Sequence, residues 1–336
     1  MGRGPLAAAG RTVAVAGVCA ALSVSAAGWA QAGAATQRLT ILGGPAAGIF
    51  NVFATGLSTY LPKAVPGVEV YVAATGGSVE NVRRVNSRDA EMGVSFAGDV
   101  HEGYYGLEAF QGNPQTNIRA LGLLFVGVGH LVTYRDSGIR SVTDLAGKRV
   151  AVGSPGSGTF ATAERIFRQL GLWDRIQRIP LLGSAAAQAL RDGRAEAYFY
   201  TAPYPDRSVI EAATGREVQL IELYEPLART DFFRVFPYYV RYRFAAGAYA
   251  GTQPVSTVGI PGLWIAHRDV PASLIQALVA AAYSAEGHAY MTSVHAASAD
   301  MTPENALSGV TIPLHPGAEA HWRSVGVQIP EGARAR

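Results

Sequence analysis

Gly153-Ser-Pro-Gly-Ser-Gly-Thr159 follows the apolar, β-branched run Arg149–Val152 and leads into a segment with helical spacing. About 80 residues earlier the pattern occurs once before: Val68–Ala74, then Thr75-Gly-Gly-Ser-Val-Glu-Asn81, then a helical segment. A strand, a Gly/Ser/Thr turn and a helix start together make an anion cradle. Glycine lets the backbone approach a ligand, hydroxyls donate hydrogen bonds, and the free N–H groups of the first helical turn point outward. The competing reading is an ordinary βα turn, because Gly and Ser suit tight turns everywhere. Two cradles imply two lobes, each giving one wall of a cleft.

Strand and helix signals alternate along the rest of the chain, the pattern of α/β folds with largely parallel sheets. Strands are expected at Arg38–Leu42, Val68–Ala74, Glu91–Ala97, Ala120–Val126, His130–Arg135, Ala195–Thr201 and Thr257–Ala266. Helices are expected over Ile49–Leu61, stopped by Pro62, over Ser78–Ser87 and over Thr159–Leu170. The texture changes near Asp136, which places residues 38–136 and 251–326 in one discontinuous lobe and 137–250 in the other, with two linking strands as a hinge. Residues 327–336 read as a loose tail. Ligands of open α/β sheets bind outside the carboxyl ends of the strands, so Gly43–Gly48, Thr75–Asn81 and Ser95–Asp99 face Ser154–Thr159 and Tyr200–Pro203.

Residues 1–32 read as an export signal: Arg3 and Arg11 are basic, Val13–Ala27 is apolar and small, and Ala30-Gln31-Ala32 fits a small-x-small cleavage site. The stretch is too rich in Ala, Ser and Gly for a strong membrane span; an uncleaved anchor is the alternative. The one cysteine, Cys19, lies inside this signal, so the mature chain has no disulfide and no cysteine metal ligand. About 300 mature residues allow two domains with a core each. The formal charge of +3 includes Arg3 and Arg11; without them 26 basic and 25 acidic residues leave +1. No basic stripe marks a nucleic-acid surface.

Several chemistries are disfavoured by spacing. Gly153–Gly158 has a phosphate-loop skeleton, but Thr159 stands where the lysine is needed. Neither Ser157 nor Ser78 sits in G-x-S-x-G. The seven histidines form no HExxH and no paired metal spacing. In His315-Pro-Gly-Ala-Glu319 a cap or loop hydrogen bond is favoured over a hydrolytic pair. His101 and Glu102 are expected on a solvated helix face. The cluster Phe232–Tyr239 is read as core and lobe packing rather than a ligand stack, and Arg234, Arg241 and Arg243 as surface or structural residues rather than carboxylate clamps.

The motifs in order are G-G-x-x-x-G after the first strand, T-G-G-S-V-E-N, the Gly98-Asp99 pair, then SGIRSVTDLAGKRVAVGSPGSGT over 137–159, and finally HPGAE. This order resembles the TAXI family, the extracytoplasmic solute receptors of tripartite ATP-independent periplasmic (TRAP) transporters, from about Arg38 to Gly326. The resemblance implies a type II periplasmic-binding-protein fold, α/β in both lobes. It also implies a periplasmic monomer without cofactor or metal, which takes a small organic anion and delivers it to a membrane permease without doing chemistry on it. It carries ligand-binding roles onto Gly44, Gly48, Thr75, Gly77, Ser78, Asn81, Asp99, Ser157, Gly158 and Thr159. Phe50, Ala97, Tyr200 and Ala202 are expected beside them. Ile49-Phe50 stands where family members often place a tyrosine hydroxyl. Ala97 replaces a commonly polar residue, and Ala202-Pro203 a Gly-containing turn. These departures make the first wall more apolar and favour a less polar carboxylate over glutamate. The alternatives are a receptor of an ABC importer on the same fold, a periplasmic enzyme on that fold, and a surface antigen without a transport role.

Overall fold

The computed structural model describes residues 1–2, 36–44, 46, 48–155 and 157–335. The expected signal, its cleavage site and Cys19 therefore lie outside the described residues. No described helix is long and apolar enough to cross a membrane.

Strands and helices alternate from Gln37 onward. They run β1 Gln37–Gly44, α1 Ile49–Ala64, β2 Val68–Ala74, α2 Ser78–Asn86, β3 Met92–Phe96, α3 Ala97–Tyr105 and β4 Ile118–Tyr134. Then come β5 Arg149–Ala151, α4 Gly158–Gln169, β6 Gln177–Ile179, α5 Gly183–Arg191, β7 Ala197–Ala202, α6 Arg207–Ala212 and β8 Val218–Leu220. The chain closes with α7 Tyr224–Ala228, α8 Phe232–Val235, β9 Val240–Phe244, β10 Val255–His267, α9 Ala272–Ala282, α10 Ala285–Val294 and α11 Pro316–Ser324.

The strands form one mixed sheet in the order β2-β1-β3-β10-β4-β7-β5-β6, with β8 on β4 and β9 on β10. β1, β2 and β3 are mutually parallel, as are β5, β6 and β7. Between these groups run the long antiparallel strands β4 and β10. β4 pairs with β10 up to Val128 and from there with β7. β10 pairs with β9 up to Gly259 and from there with β4. Val128 and Gly259 face each other, so both strands change neighbours at one point.

Two expected strands, Ala120–Val126 and His130–Arg135, are thus parts of the single strand β4. Gly127 and Gly129 are crowded rather than turned. A Cβ on Gly127 would sit 3.2 Å from the Phe96 ring, and one on Gly129 3.0 Å from Val258. Pro62 does not stop α1, which continues to Ala64. Proline in the last turn forfeits one backbone bond, and Val65 N–H closes the end on Leu61 C=O at 2.8 Å. The tail is not loose through Ala335. Leu314 N–H bonds Ala333 C=O at 2.9 Å, Ala333 is buried, and Ala335 N–H donates to the Glu319 carboxylate.

The main core packs α1, α9 and α11 on the β1–β3–β10–β4 face and continues under α4 through Ile166, Phe167 and Phe199. A second core lies on the other face of β7 and β5, where Ala186, Leu190, Val209 and Ala212 bring α5 and α6 against Tyr198 and Val132. Of the aromatic cluster, Phe232, Tyr238 and Tyr239 are buried as expected, whereas Phe236 lines the cavity described below.

Candidate functional site

The carboxyl ends of β1–β3 and of β5–β7 look onto one cavity of about 850 Å³. Five helices begin on its wall. Their N-cap residues, Gly48 of α1, Gly77 of α2, Phe96 of α3, Ser157 of α4 and Leu182 of α5, all line it. Only α4 is capped by a side chain, Ser157 Oγ accepting Phe160 N–H at 3.1 Å. Uncapped helix starts carry partial positive charge, about half an elementary charge each, and free N–H donors. Gly77 stands at φ +125°, a conformation that side chains rarely adopt, and this directs the chain from β2 into α2.

Two hydroxyls play matching parts on opposite walls. Ser78 Oγ, on the first residue of α2, accepts the N–H of Phe96 at the end of β3, 2.9 Å away. Thr159 Oγ1, on the second residue of α4, accepts the N–H of Thr201 near the end of β7, 3.3 Å away. No acceptor for either hydroxyl proton is found among the described residues. Tyr200 adds a phenol that makes no hydrogen bond among the described residues, its pKa pushed up to about 12 chiefly by burial.

Of the residues expected at the site, Gly48, Phe50, Gly77, Ser78, Asp99, Ser157, Gly158, Thr159 and Tyr200 line the cavity. Gly44, Thr75, Asn81, Ala97 and Ala202 do not. Their positions have structural explanations. Thr75 Oγ1 donates to Asn81 Oδ1 at 2.6 Å and accepts Gly77 N–H at 3.2 Å, which shapes the turn. Asn81 is fully buried and its amide reaches Val94 C=O at 2.7 Å and Leu42 C=O at 3.4 Å, bracing β1 against β3. Gly44 C=O takes Thr75 N–H, Ala97 is buried, and Ala202 pairs with Val128 in the sheet.

One feature of the wall overturns an expectation. Glu102 does not lie on a solvated face: it is 4 % exposed. Its carboxylate meets the Arg165 guanidinium of α4 at 2.5 Å and accepts the Tyr238 hydroxyl at 3.1 Å. Asp99 stands 4.0 Å from the same guanidinium, which also donates to Tyr239 Oη at 3.3 Å. Burial, aided by Asp99, pushes the Glu102 carboxyl up to about 7 against the pull of Arg165. His101 is half-buried, bonded to Thr311 Oγ1 at 2.9 Å, with its pKa lowered by burial and then by Arg165.

Phe96 and Thr201 fall within the expected loops Ser95–Asp99 and Tyr200–Pro203, whereas sequence reasoning missed Arg165, Phe160, Leu182 and Phe236. Their signal was helical and strand spacing: with the start of α4 on the cavity, Ala161, Arg165 and Arg168 follow on the same face. Among the described residues no histidine lines the cavity, and neither Ser78 nor Thr159 is hydrogen-bonded to an acidic or histidine side chain. His315 is an N-cap, its Nδ1 accepting Gly317 N–H at 3.2 Å, while Glu319 holds Arg323. Among the described residues no cluster of His, Cys, Asp or Glu is arranged to hold a metal ion.

The model of the NMT1-like family matches residues 41–326, which includes every element from β1 to α11 that builds this cavity. The chain belongs to the NMT1-like family. Solved structures share the fold of this NMT1-like chain at low identity. A TctC solute-binding protein from Polaromonas matches with TM-score 0.50 and 14% identity over 86% of this chain and 98% of that one. A periplasmic sulfonate-binding protein, SsuA, from Methylobacillus flagellatus matches with TM-score 0.50 and 15% identity over 88% and 89%. A Xanthomonas citri protein bound to ATP matches with TM-score 0.51 and 9% identity over 86% and 95%. The mixed α/β fold is thus that of periplasmic solute-binding proteins.

Proposed function

We propose that this NMT1-like protein is an extracytoplasmic solute receptor that captures a small organic anion and hands it to a membrane permease. The observation that carries the reading is the convergence of five helix starts on one cavity, four of them without a side-chain cap. Ser78, Thr159 and Tyr200 add hydroxyl donors. Hydrogen bonds to a charged group contribute about 1.5–3 kcal/mol each, and each helix start adds about 0.3–1 kcal/mol.

In this reading residues 38–136 and 251–326 form one lobe and 137–250 the other. The hinge falls where β4 and β10 exchange neighbours, at Val128 and Gly259. The protein binds without transforming its ligand, as a monomer, and is exported by the signal in residues 1–32. The motif order from Ser137 to Thr159 supports a TAXI-type receptor serving a TRAP permease over an ABC importer. A large multi-span permease gene beside this one, with no ATPase gene, supports the first; an adjacent ATPase gene supports the second.

Mass spectrometry of what co-purifies, followed by calorimetric titration with small carboxylates and sulfonates, tests the receptor reading. Saturable binding of an organic anion with unchanged ligand recovered afterwards is expected, with compaction in small-angle scattering as the lobes close. Turnover of the ligand, or no binding of any anion, refutes it.

A further inference from the structure

The cavity's charge is unevenly shared. Besides the helix starts, its ionisable lining consists of Asp99, Glu102, Glu108, Glu164, Arg165 and Arg168. Both guanidinium groups are engaged. Arg165 holds Glu102 at 2.5 Å with Asp99 at 4.0 Å. Arg168 holds Glu164 at 2.8 Å and lies over the Trp173 ring. Four acidic groups against two paired cations leave the side-chain lining net negative, even while Glu102 holds its proton.

The helix starts carry the partial positive charge, and, although Asp99 stands in the first turn of α3, three of them adjoin Phe96. Its backbone caps α3 and its N–H goes to Ser78 at the start of α2. Its ring stands where a Cβ on Gly158, at the start of α4, would meet it at 2.9 Å. Phe96 thus touches the starts of α2, α3 and α4, the focus proposed for one anionic group. The rest of the wall offers Ile49, Phe50, Val79, Phe160 and Phe236. The Phe50 and Phe96 rings pack edge to face at 4.8 Å, leaving aromatic surface next to the anion focus.

We infer that the ligand of this cavity is a monocarboxylate with an apolar body, and that a second carboxylate is excluded. This rests on the receptor reading above. A second carboxylate would lie among Glu102, Glu108 and Glu164 with every lining cation already paired, and an unpaired charge removed from water is heavily penalised. An apolar body would cover the phenyl rings and gain affinity with each methylene it buries.

The test is calorimetric titration of the purified mature chain with butanoate, hexanoate, octanoate and 3-phenylpropanoate, beside glutarate and adipate. Affinity is expected to rise about threefold to fourfold per buried methylene along the monocarboxylates, and adipate is expected to bind at least tenfold more weakly than hexanoate. Adipate or glutarate binding as tightly as hexanoate, or a flat monocarboxylate series, overturns the inference while leaving the receptor reading intact. No binding by any of these acids, accompanied by tight binding of a different anion, overturns the inference alone. No binding of any anion overturns both.

Discussion

Replacing Glu102 with Gln should change how stability depends on pH, in a direction set by its burial. The carboxyl has an ordinary value of 4.5 and is raised to about 7 in the folded chain. Between these values the native state holds the proton and the unfolded state has lost it. Stability from this group is therefore fully present below 4.5 and is lost as pH rises through 7. From pH 5 to pH 8 the loss amounts to about 2–3 kcal/mol. Buried histidines slope the other way: His130 and His315, both lowered to about 4 by burial, stabilise the fold above 6.5 and cease to as pH falls toward 4. The comparison must therefore be between variants. Gln keeps an oxygen for the Tyr238 hydroxyl and the Arg165 guanidinium but does not titrate. Urea unfolding of wild type and Glu102→Gln at pH 5, 6, 7 and 8 should show the gap moving in the variant's favour by about 2–3 kcal/mol. Two parallel stability curves would refute the reasoning and place the Glu102 proton elsewhere.

Four further substitutions separate binding from folding. Gly158→Val starts a side chain 2.9 Å from the Phe96 ring and should weaken ligand binding by about tenfold or more; wild-type affinity by calorimetry would exclude the anion focus described at Phe96. Ser78→Ala and Thr159→Ala should each weaken binding about tenfold to a hundredfold, and also cost about 1–3 kcal/mol of stability because the Phe96 or Thr201 N–H loses its acceptor; titration and thermal unfolding read both effects. Gly317→Ala puts a Cβ 2.0 Å from Ala272 C=O where α11 crosses α9, and should cost about 3 kcal/mol with ligand affinity unchanged, as checked by urea unfolding.

What was legible in the sequence was the placement of backbone. The strand–turn–helix units at Val68–Asn86 and Arg149–Gln169 stand within a residue or two of their expected ends, because apolar runs, glycines and hydroxyls act locally. Partner choice was not legible. Thr75 and Ser78 are three residues apart in one motif, yet Thr75 bonds within its own turn while Ser78 reaches β3. That division depends on where β3 lies, which no local pattern states. Glu102 looked like a surface residue because its burial comes from Arg165 and Tyr238, 63 and 136 positions away. Gly127 and Gly129 looked like a break because glycine marks turns and crowding alike, and only the Phe96, Val258 and Phe199 side chains beside them tell which.

The shared pair of strands has a mechanical consequence. β4 and β10 are bonded to each other as far as Val128 and Gly259; beyond that pair β4 runs on beside β7 and β10 beside β9, so two continuous strands join the two ends of the sheet. In the two-lobe reading such strands yield by small twists shared over several residues. Glycines at 127, 129 and 259 let the Phe96, Phe199, Val258, Val126 and Val240 side chains pack against the strands there. In the two-lobe reading, rotation of one end against the other meets an elastic restoring force, and a guest that held the ends together would work against a spring that returns them when it leaves.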